Sequence, residues 1–196
     1  MRAQSEQERK LRRRRRRIQV IVIYTAIAIC LAWFFESQAT TTIIFVRHAE
    51  KVIGAESDPA LSVAGQQRVA ELTRQLVDAD VVAGVDAVYA TAYRRTQETA
   101  RPIADALDLP INTYDASDTE TVLETILKEH KGKIILVVGH SNTVPQLIAN
   151  LGASKKVPPI HEDEYDNIYI ISIPWFGKTK TIRLRFGDPY VASPSQ

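Results

Sequence analysis

One run in this sequence, residues 134–138, reads Ile-Ile-Leu-Val-Val and contains no polar residue. A strand with one face in water alternates apolar and polar side chains, so an unbroken apolar run indicates a strand that is buried on both faces. Such strands occur in parallel sheets that carry helices on both sides. This run therefore favours a layered α/β domain.

Strand-like and helix-like segments alternate along the chain after residue 40. Other runs rich in β-branched and aromatic residues lie at 41–46, 85–89, 111–114, 167–173 and 180–186. Apolar residues recur at helical spacing within 61–78, 100–107, 122–127 and 144–151. The alternation predicts a three-layer α/β/α domain over residues 41–190, with a mostly parallel sheet.

An uncharged segment of 18 residues, Ile18 to Phe35, lies close to the amino terminus. About 20 residues of helix cross the hydrocarbon of a bilayer, and the aromatic run 33–35 suits a membrane interface. Six arginines directly precede the segment, and such a run tends to stay in the cytoplasm. We predict a basic cytoplasmic tail at 1–17, a transmembrane signal-anchor at 18–35, and a body outside the cytoplasm.

Other interpretations of this segment stay open. Ser37-Gln38-Ala39 is a small-x-small site at which a signal peptidase could remove residues 1–39. An apolar 18-mer is also compatible with a buried core helix. Nucleic acid is disfavoured as a partner of the body, because residues 1–17 carry a net charge of +7 whereas the remainder carries −5.

Reactive side chains follow three of the predicted strands. Arg47 and His48 come directly after the first strand, Arg94 and Arg95 lie shortly after the second, and His140 follows the all-apolar strand. The carboxyl ends of parallel strands meet at one edge of a sheet, so we expect these side chains to converge. Guanidinium groups and helix amino termini bind phosphate, and a neutral imidazole accepts a phosphoryl group. The spacing predicts a phosphate site with a histidine nucleophile.

The block Arg47-His48-Ala49-Glu50 resembles the RHG signature of the histidine phosphatase (phosphoglycerate mutase-like) superfamily, in its RHAE variant. Three further blocks that resemble the family follow in the family's order: Leu61-Ser62-x-x-Gly65-x-x-Arg68, the stretch VYATAYRRTQETA at 88–100, and Val137-Val138-Gly139-His140-Ser141-Asn142. The four blocks extend from about residue 41 to 152. They identify the chain as similar to a small member of the family without the large cap insertions of mutases and phytases.

The resemblance implies a role for each residue of the site. His48 would be the nucleophile that forms a phosphohistidine, and Arg47, Arg95 and His140 would hold the phosphoryl oxygens. It also implies that no metal and no other cofactor is required. The body contains no cysteine, since Cys30 lies in the apolar segment, so cysteine-based metal sites are excluded there.

The sequence leaves the general acid open. Asp115, Asp118 and Glu120 follow the third predicted strand, where the family often places a carboxylate, and the acid could also be absent. The pattern Ser117-x-x-Glu120 is also typical of a capping box at a helix start, which is the preferred interpretation for Glu120.

Other conspicuous residues favour structural interpretations. Arg94 is expected to be a solvated neighbour of Arg95, and Ser141 and Asn142 to cap the following helix. The acidic loop 161–164 contains a histidine but is not predicted to bind metal. Trp175-Phe176 predicts a turn whose aromatic rings pack on the core, the alternative being a surface patch near a membrane or a partner.

These observations lead to a hypothesis of function. We expect a metal-independent phosphatase that hydrolyses a phosphomonoester and is held at the cell membrane with its catalytic domain outside the cytoplasm, periplasmic or extracellular. The alternatives are a phosphohistidine or phosphoprotein phosphatase and a non-catalytic, membrane-tethered phosphoryl-binding module. Retention of all four candidate residues, Arg47, His48, Arg95 and His140, argues against the last of these.

Overall fold

The computed structural model describes residues 2–37, 40–54, 56–78, 84–153 and 157–191. The chain divides into two compact units, Met1–Ala39 and Thr40–Gln196. Gln38 and Ala39 of the candidate cleavage site lie outside the described residues.

The first unit contains one long helix, α1 (Arg2–Ser37). It is the one helix of the described chain that is long and apolar enough to cross a membrane, over Leu11–Phe35, judged by length and composition alone. A signal sequence near an amino terminus meets the same criteria. The helix also continues through the arginine run, where we predicted only a basic tail, because arginine has a high helix propensity.

The second unit is built on a six-stranded sheet. Its strands are β1 (Thr40–Arg47), β2 (Ala87–Thr91), β3 (Ile111–Tyr114), β4 (Ile134–Gly139), β5 (Asn167–Pro174) and β6 (Lys180–Arg185). Their order across the sheet is β3-β2-β4-β1-β5-β6, and the first four are parallel to one another. β5 is antiparallel to β1, and β6 is antiparallel to β5. The predicted α/β class is confirmed, with a mixed sheet whose antiparallel pair lies at one side.

Within the described residues, four helices cover the two faces of the sheet: α2 (Val63–Val77), α3 (Arg94–Ala106), α4 (Thr119–Glu129) and α5 (Thr143–Asn150). The side chains of β4 alternate between the two helical layers. Ile135 and Val137 pack with the apolar residues of α4 and α5, whereas Leu136 and Val138 pack with those of α2 and α3. All four side chains are fully buried, as expected of a central strand in a three-layer domain.

Several local predictions were wrong in detail. β2 ends at Thr91, two residues later than predicted, which places Thr91 at the edge where the candidate site lies. Asp118 rather than a Ser117–Glu120 box caps α4, since its side chain accepts the N–H of Thr121 at 3.0 Å. Asn142 occupies the cap position of α5 without a side-chain hydrogen bond to the helix.

The turn between β5 and β6 also differs from expectation. Trp175 and Phe176 do form the turn, but 65% of Trp175 and 92% of Phe176 remain exposed. The prediction that these rings pack on the core is therefore wrong. Gly177 follows at φ +120°, a conformation that favours glycine, and this allows the chain to reverse immediately after the two rings.

Candidate active site

The two candidate histidines meet where the central parallel strands end. His48 follows β1, His140 follows β4, and the main-chain N–H of His48 donates to the carbonyl of Gly139 at 2.9 Å. This bond continues the pairing of β1 with β4 and fixes the two exits against each other. The imidazole rings are 5.3 Å apart between centroids, in an edge-to-face arrangement, and both residues are buried.

The ring of His48 is held in one orientation. Its Nδ1 lies 2.8 Å from the main-chain oxygen of Ala49. A carbonyl only accepts hydrogen bonds, so Nδ1 carries the proton and Nε2 retains a lone pair. Burial is the main cause that lowers the pKa of His48 to about 3, and the charge of Arg47 acts in the same direction. The imidazole is consequently neutral at physiological pH.

Arg47 is a buried cation beside His48, held by a loop that precedes β5. One terminal nitrogen, NH1, donates to the carbonyls of His161 at 2.7 Å and Glu164 at 3.1 Å. The guanidinium lies 4.1 Å from the ring centroid of Tyr165. Among the described residues, Arg47 Nε is buried without a hydrogen-bond partner. The group is thus oriented by the protein, and it lines the cleft that an anion can enter.

Arg95 enters from the first turn of α3. Its guanidinium lies 4.4 Å from the ring centroid of Tyr93, and its NH1 is 3.6 Å from a carboxylate oxygen of Asp58. Arg95 Nε, like that of Arg47, is buried without a hydrogen-bond partner among the described residues. Arg94 points elsewhere: it is exposed and pairs with Glu98 at 2.7 Å, as expected of a solvated flank.

His140 is fixed by a residue to which we assigned no role from the sequence. Thr91, the last residue of β2, has its hydroxyl oxygen 3.0 Å from His140 Nε2 and 2.8 Å from the hydroxyl of Thr96. The other ring nitrogen, Nδ1, lies 3.5 Å from an Arg95 terminal nitrogen, on the side of the guanidinium. Burial, followed by the charge of Arg95, lowers the pKa of His140 to about 4.

The second sequence block, residues 61–68, packs against the loop that follows β1 and carries His48. Gly65 of α2 packs so closely that a Cβ built on it would lie 2.1 Å from the main-chain oxygen of Glu50. Arg68, one turn later, donates to the Glu50 carboxylate at 2.7 Å and also bonds the carbonyls of Phe186 and Asp188 at 3.3 Å. Ser62 caps the helix by accepting the N–H of Gly65. The block therefore ties the loop after β1 to α2 and to the end of the sheet.

An open cleft of about 1910 Å³ is lined by Arg47, His48, Arg95 and His140. Its walls also include residues that the sequence did not single out as site residues: Lys51, Ile53, Val63, Tyr93, Glu162, Asp163 and Tyr165. Of the candidate acids, Asp115 lines the cleft, while Asp118 is engaged as a helix cap. Hydrogen bonds from Ser117 lower the pKa of Asp115, which makes this carboxyl a poor proton donor. Glu120 is not among the residues that line the cleft.

The described part of the chain contains no group of three or more His, Cys, Asp or Glu side chains arranged to hold a metal ion. His161 of the acidic loop instead stacks on Tyr190, with ring centroids 5.7 Å apart. Two guanidinium groups and two neutral imidazoles therefore lie together in the cleft, a set that suits a phosphoryl group.

Three comparisons with known proteins bear on the family and on the fold. Residues 43–118 match the histidine phosphatase superfamily (branch 1), a range that includes His48 and Arg95. No curated protein matches the chain. Solved structures, in contrast, match the fold over most of their own length.

Three of these structures have 12–19% sequence identity, so the likeness concerns the fold. The protein histidine phosphatase SixA in complex with tungstate gives a TM-score of 0.60 at 19% identity, covering 74% of this chain and 96% of that one. A phosphoserine phosphatase from Entamoeba histolytica gives a TM-score of 0.55 at 16% identity, covering 76% of this chain and 97% of that one. A mycobacterial glucosyl-3-phosphoglycerate phosphatase gives a TM-score of 0.53 at 12% identity, covering 68% of this chain and 90% of that one. Residues 43–118 therefore resemble the histidine phosphatase superfamily (branch 1), and the solved structures share the fold of the second unit.

Proposed function

We propose that the protein hydrolyses a phosphomonoester through a phosphohistidine intermediate on His48, in a catalytic domain tethered to the cell membrane. The observation that carries the proposal is the orientation of His48. Its Nδ1 is committed to the Ala49 carbonyl at 2.8 Å, and its pKa is lowered to about 3, so Nε2 presents a lone pair to the cleft. A histidine nucleophile requires this protonation state.

The first step transfers the phosphoryl group to His48. The substrate phosphate sits between the guanidinium groups of Arg47 and Arg95, both of which line the cleft. The His48 Nε2 lone pair forms the N–P bond while the ester P–O bond breaks, and the leaving oxygen takes up a proton from water in the open cleft. The phosphate anion favours a second proton on the His140 ring, and His140 then donates from Nδ1 to a phosphoryl oxygen as negative charge builds on it.

The second step releases phosphate. A water molecule attacks the phosphorus, the N–P bond breaks with its electron pair returning to Nε2, and the second proton of the water passes to solvent. The cleft is open enough to admit this water, which favours hydrolysis over return of the phosphoryl group to a second acceptor. Neither step requires a metal in this proposal.

Covalent labelling tests the assignment of the nucleophile. The protein is mixed with substrate, quenched, and analysed by mass spectrometry under alkaline conditions that preserve phosphohistidine. We expect the label on His48, and we expect His48→Ala to abolish label and turnover together. His140→Ala should slow turnover by roughly 10²–10³, as for loss of one transition-state donor, and still permit slow labelling of His48.

A third histidine provides the matched control for this experiment. His130 lies at the end of α4, where its Nε2 is 2.9 Å from the hydroxyl of Tyr89, and it does not line the cleft. His130→Ala should leave the labelling unchanged. A label on His140, or a labelled His48→Ala protein, would overturn the proposal.

The tether is proposed to be the apolar part of α1, with residues 1–17 in the cytoplasm and residues 36–196 outside. The length of the candidate span and the arginines before it support this topology. Protease added to intact spheroplasts should digest the body and spare the arginine tail. Protection of the body would contradict the topology, and recovery of a protein that begins after residue 39 would establish cleavage instead.

A phosphohistidine or phosphoprotein substrate is the second candidate. The open cleft and the likeness to SixA, a protein histidine phosphatase, support it. A panel of small phosphomonoesters, phosphoserine peptides and phosphohistidine peptides, presented to the full chain, separates the two. A protein that binds these ligands without turning any of them over would instead be the non-catalytic phosphoryl-binding module.

A further inference from the structure

The exposed turn between β5 and β6 presents two large aromatic side chains to the surroundings. Trp175 is 65% exposed and Phe176 is 92% exposed, and we call this pair the tip. Tryptophan and phenylalanine at a loop end are costly to leave in water, and aromatic rings are favoured at the level of lipid headgroups. The tip therefore has the chemistry of a bilayer contact.

The register of the sheet determines at which edge of the domain the tip lies. Thr40, the first residue of β1, pairs with Pro174, the residue directly before the tip. α1 ends at Ser37, three residues before Thr40. An extended chain covers at most about 3.6 Å per residue, so a membrane span in α1 obliges β1 to start close to the bilayer surface. The tip lies beside that start.

Four lysines lie at the same edge of the sheet. Two follow the tip, and two lie in the turn before β4, whose first residue pairs with Thr42 of β1. All four are exposed, and we call them the lysine collar: Lys131, Lys133, Lys178 and Lys180. Two acidic residues adjoin this turn: Glu129 ends α4, and Asp86, directly before β2, accepts the N–H of Ile134. Cationic side chains around an aromatic tip attract anionic headgroups and keep the rings at the interface.

The catalytic cleft lies at the opposite edge of the sheet. β1 runs for eight residues from Thr40 to Arg47. At about 3.3 Å per residue, Arg47 lies roughly 23 Å from the start of the strand. His48 and His140 follow the carboxyl ends of β1 and β4, whereas the tip and the lysine collar adjoin the amino-terminal ends of these strands.

We infer that the tip and the lysine collar rest on the bilayer and hold the cleft facing away from it, so that the substrate is a phosphomonoester presented from the aqueous phase and not a lipid of the same membrane. The inference depends on the membrane tether of the proposed function. It adds to the tether a second contact, made by the folded domain, and a defined orientation of the active site.

Fluorescence quenching by brominated lipids tests the contact on the full chain. The two tryptophans, Trp33 and Trp175, allow two single-tryptophan proteins to be made with Trp175→Phe or Trp33→Phe. Each is reconstituted into phosphatidylcholine–phosphatidylglycerol vesicles, with and without bromine on the acyl-chain carbons nearest the headgroup. A third protein carries both Phe substitutions and Ile53→Trp, a probe at the cleft mouth, where Ile53 is 97% exposed.

We expect bromine to quench Trp33 and Trp175 and to leave the probe at position 53 at its intensity in unbrominated vesicles. Quenched Trp33 with unquenched Trp175 would overturn the tip contact and leave the tether intact. Quenching at position 53 equal to that of Trp175 would overturn the orientation. Unquenched Trp33 would refute the tether and this inference with it, while the phosphohistidine chemistry, measured by labelling, would be unaffected.

Discussion

The hydroxyl oxygen of Thr91 lies 3.0 Å from Nε2 of His140 and so fixes the second histidine to the end of β2. An arginine N–H only donates, so Nδ1 of His140, on the side of Arg95, accepts and the neutral ring carries its proton on Nε2. The Thr96 hydroxyl donates to the carbonyl of Tyr93 at 2.7 Å, so the Thr91 hydroxyl donates to Thr96 and accepts the N–H of Nε2. A threonine at the strand end thus sets both the angle and the tautomer of His140.

Thr91→Val should therefore impair turnover without removing the nucleophile. Loss of one hydrogen bond of about 1.4 kcal/mol corresponds to a roughly tenfold decrease in kcat/KM. Thr91→Ser keeps the hydroxyl and should retain most of the activity. Steady-state hydrolysis of a chromogenic phosphomonoester, combined with labelling of His48, measures both effects. Equal rates for the valine and serine variants would show that the hydroxyl has no part in catalysis.

Gly65→Ala should displace the loop after β1, because Gly65 of α2 packs directly against the main chain of that loop. The added Cβ would lie 2.1 Å from the Glu50 oxygen, so helix and loop must separate. Overpacking of this kind costs about 1–3 kcal/mol of the free energy of unfolding, and we expect a lower melting temperature and lower activity together. Gly84→Ala is the matched control, because its Cβ would meet no atom within 4 Å. Identical melting temperatures for the two variants would contradict the close approach.

The parts of the site that could be predicted from the sequence share one property: each lies next to a local pattern. The apolar run at 134–138 defines β4, and the strand-like run before Arg47 defines β1. The carboxyl ends of parallel strands meet, so His48 and His140 could be brought together without coordinates. Gly65 and Arg68 were recognised by resemblance, and their contacts with Glu50 supply the physical reason for the block.

The parts that could not be predicted depend on distant contacts or on competing local choices. Arg47 is held by carbonyls of His161 and Glu164, more than 110 residues away, and no local pattern records such a contact. Thr91 belongs to the block that resembles the family, but the sequence assigns it no role, and the predicted end of β2 at Tyr89 leaves it outside the strand. The side chain of each of three residues can stabilise a turn or cap a helix: Asp115, Ser117 and Asp118. Only the path of the backbone decides that Asp118 caps α4.

Chelation should leave the phosphatase reaction intact. In the proposed mechanism Arg47 and Arg95 neutralise the phosphate, and Nε2 of His48 is already unprotonated, so neither Lewis acid nor metal-bound water is needed. We expect the same rate before and after dialysis against EDTA, measured on the full chain in detergent. Loss of turnover that a divalent ion restores would show that the mechanism is wrong, even if His48 remained the labelled residue.

The lowered pKa of His48 predicts that acid destabilises the folded domain. In the unfolded chain a histidine titrates near 6.5, whereas in the folded protein the pKa of His48 is about 3. Below pH 6.5 the unfolded chain therefore binds a proton that the folded chain excludes, and stability is lost until the pH reaches the folded value. Between pH 7 and pH 5 this single group should lower the free energy of unfolding by about 2 kcal/mol.

Urea unfolding of the wild type and of His48→Gln at both pH values measures the difference, and the variant should lose about 2 kcal/mol less. Between pH 7 and pH 8 the two proteins should behave alike, because the imidazole is neutral in both states there. Equal losses on acidification would mean that His48 is not the neutral, buried base on which the proposed mechanism depends.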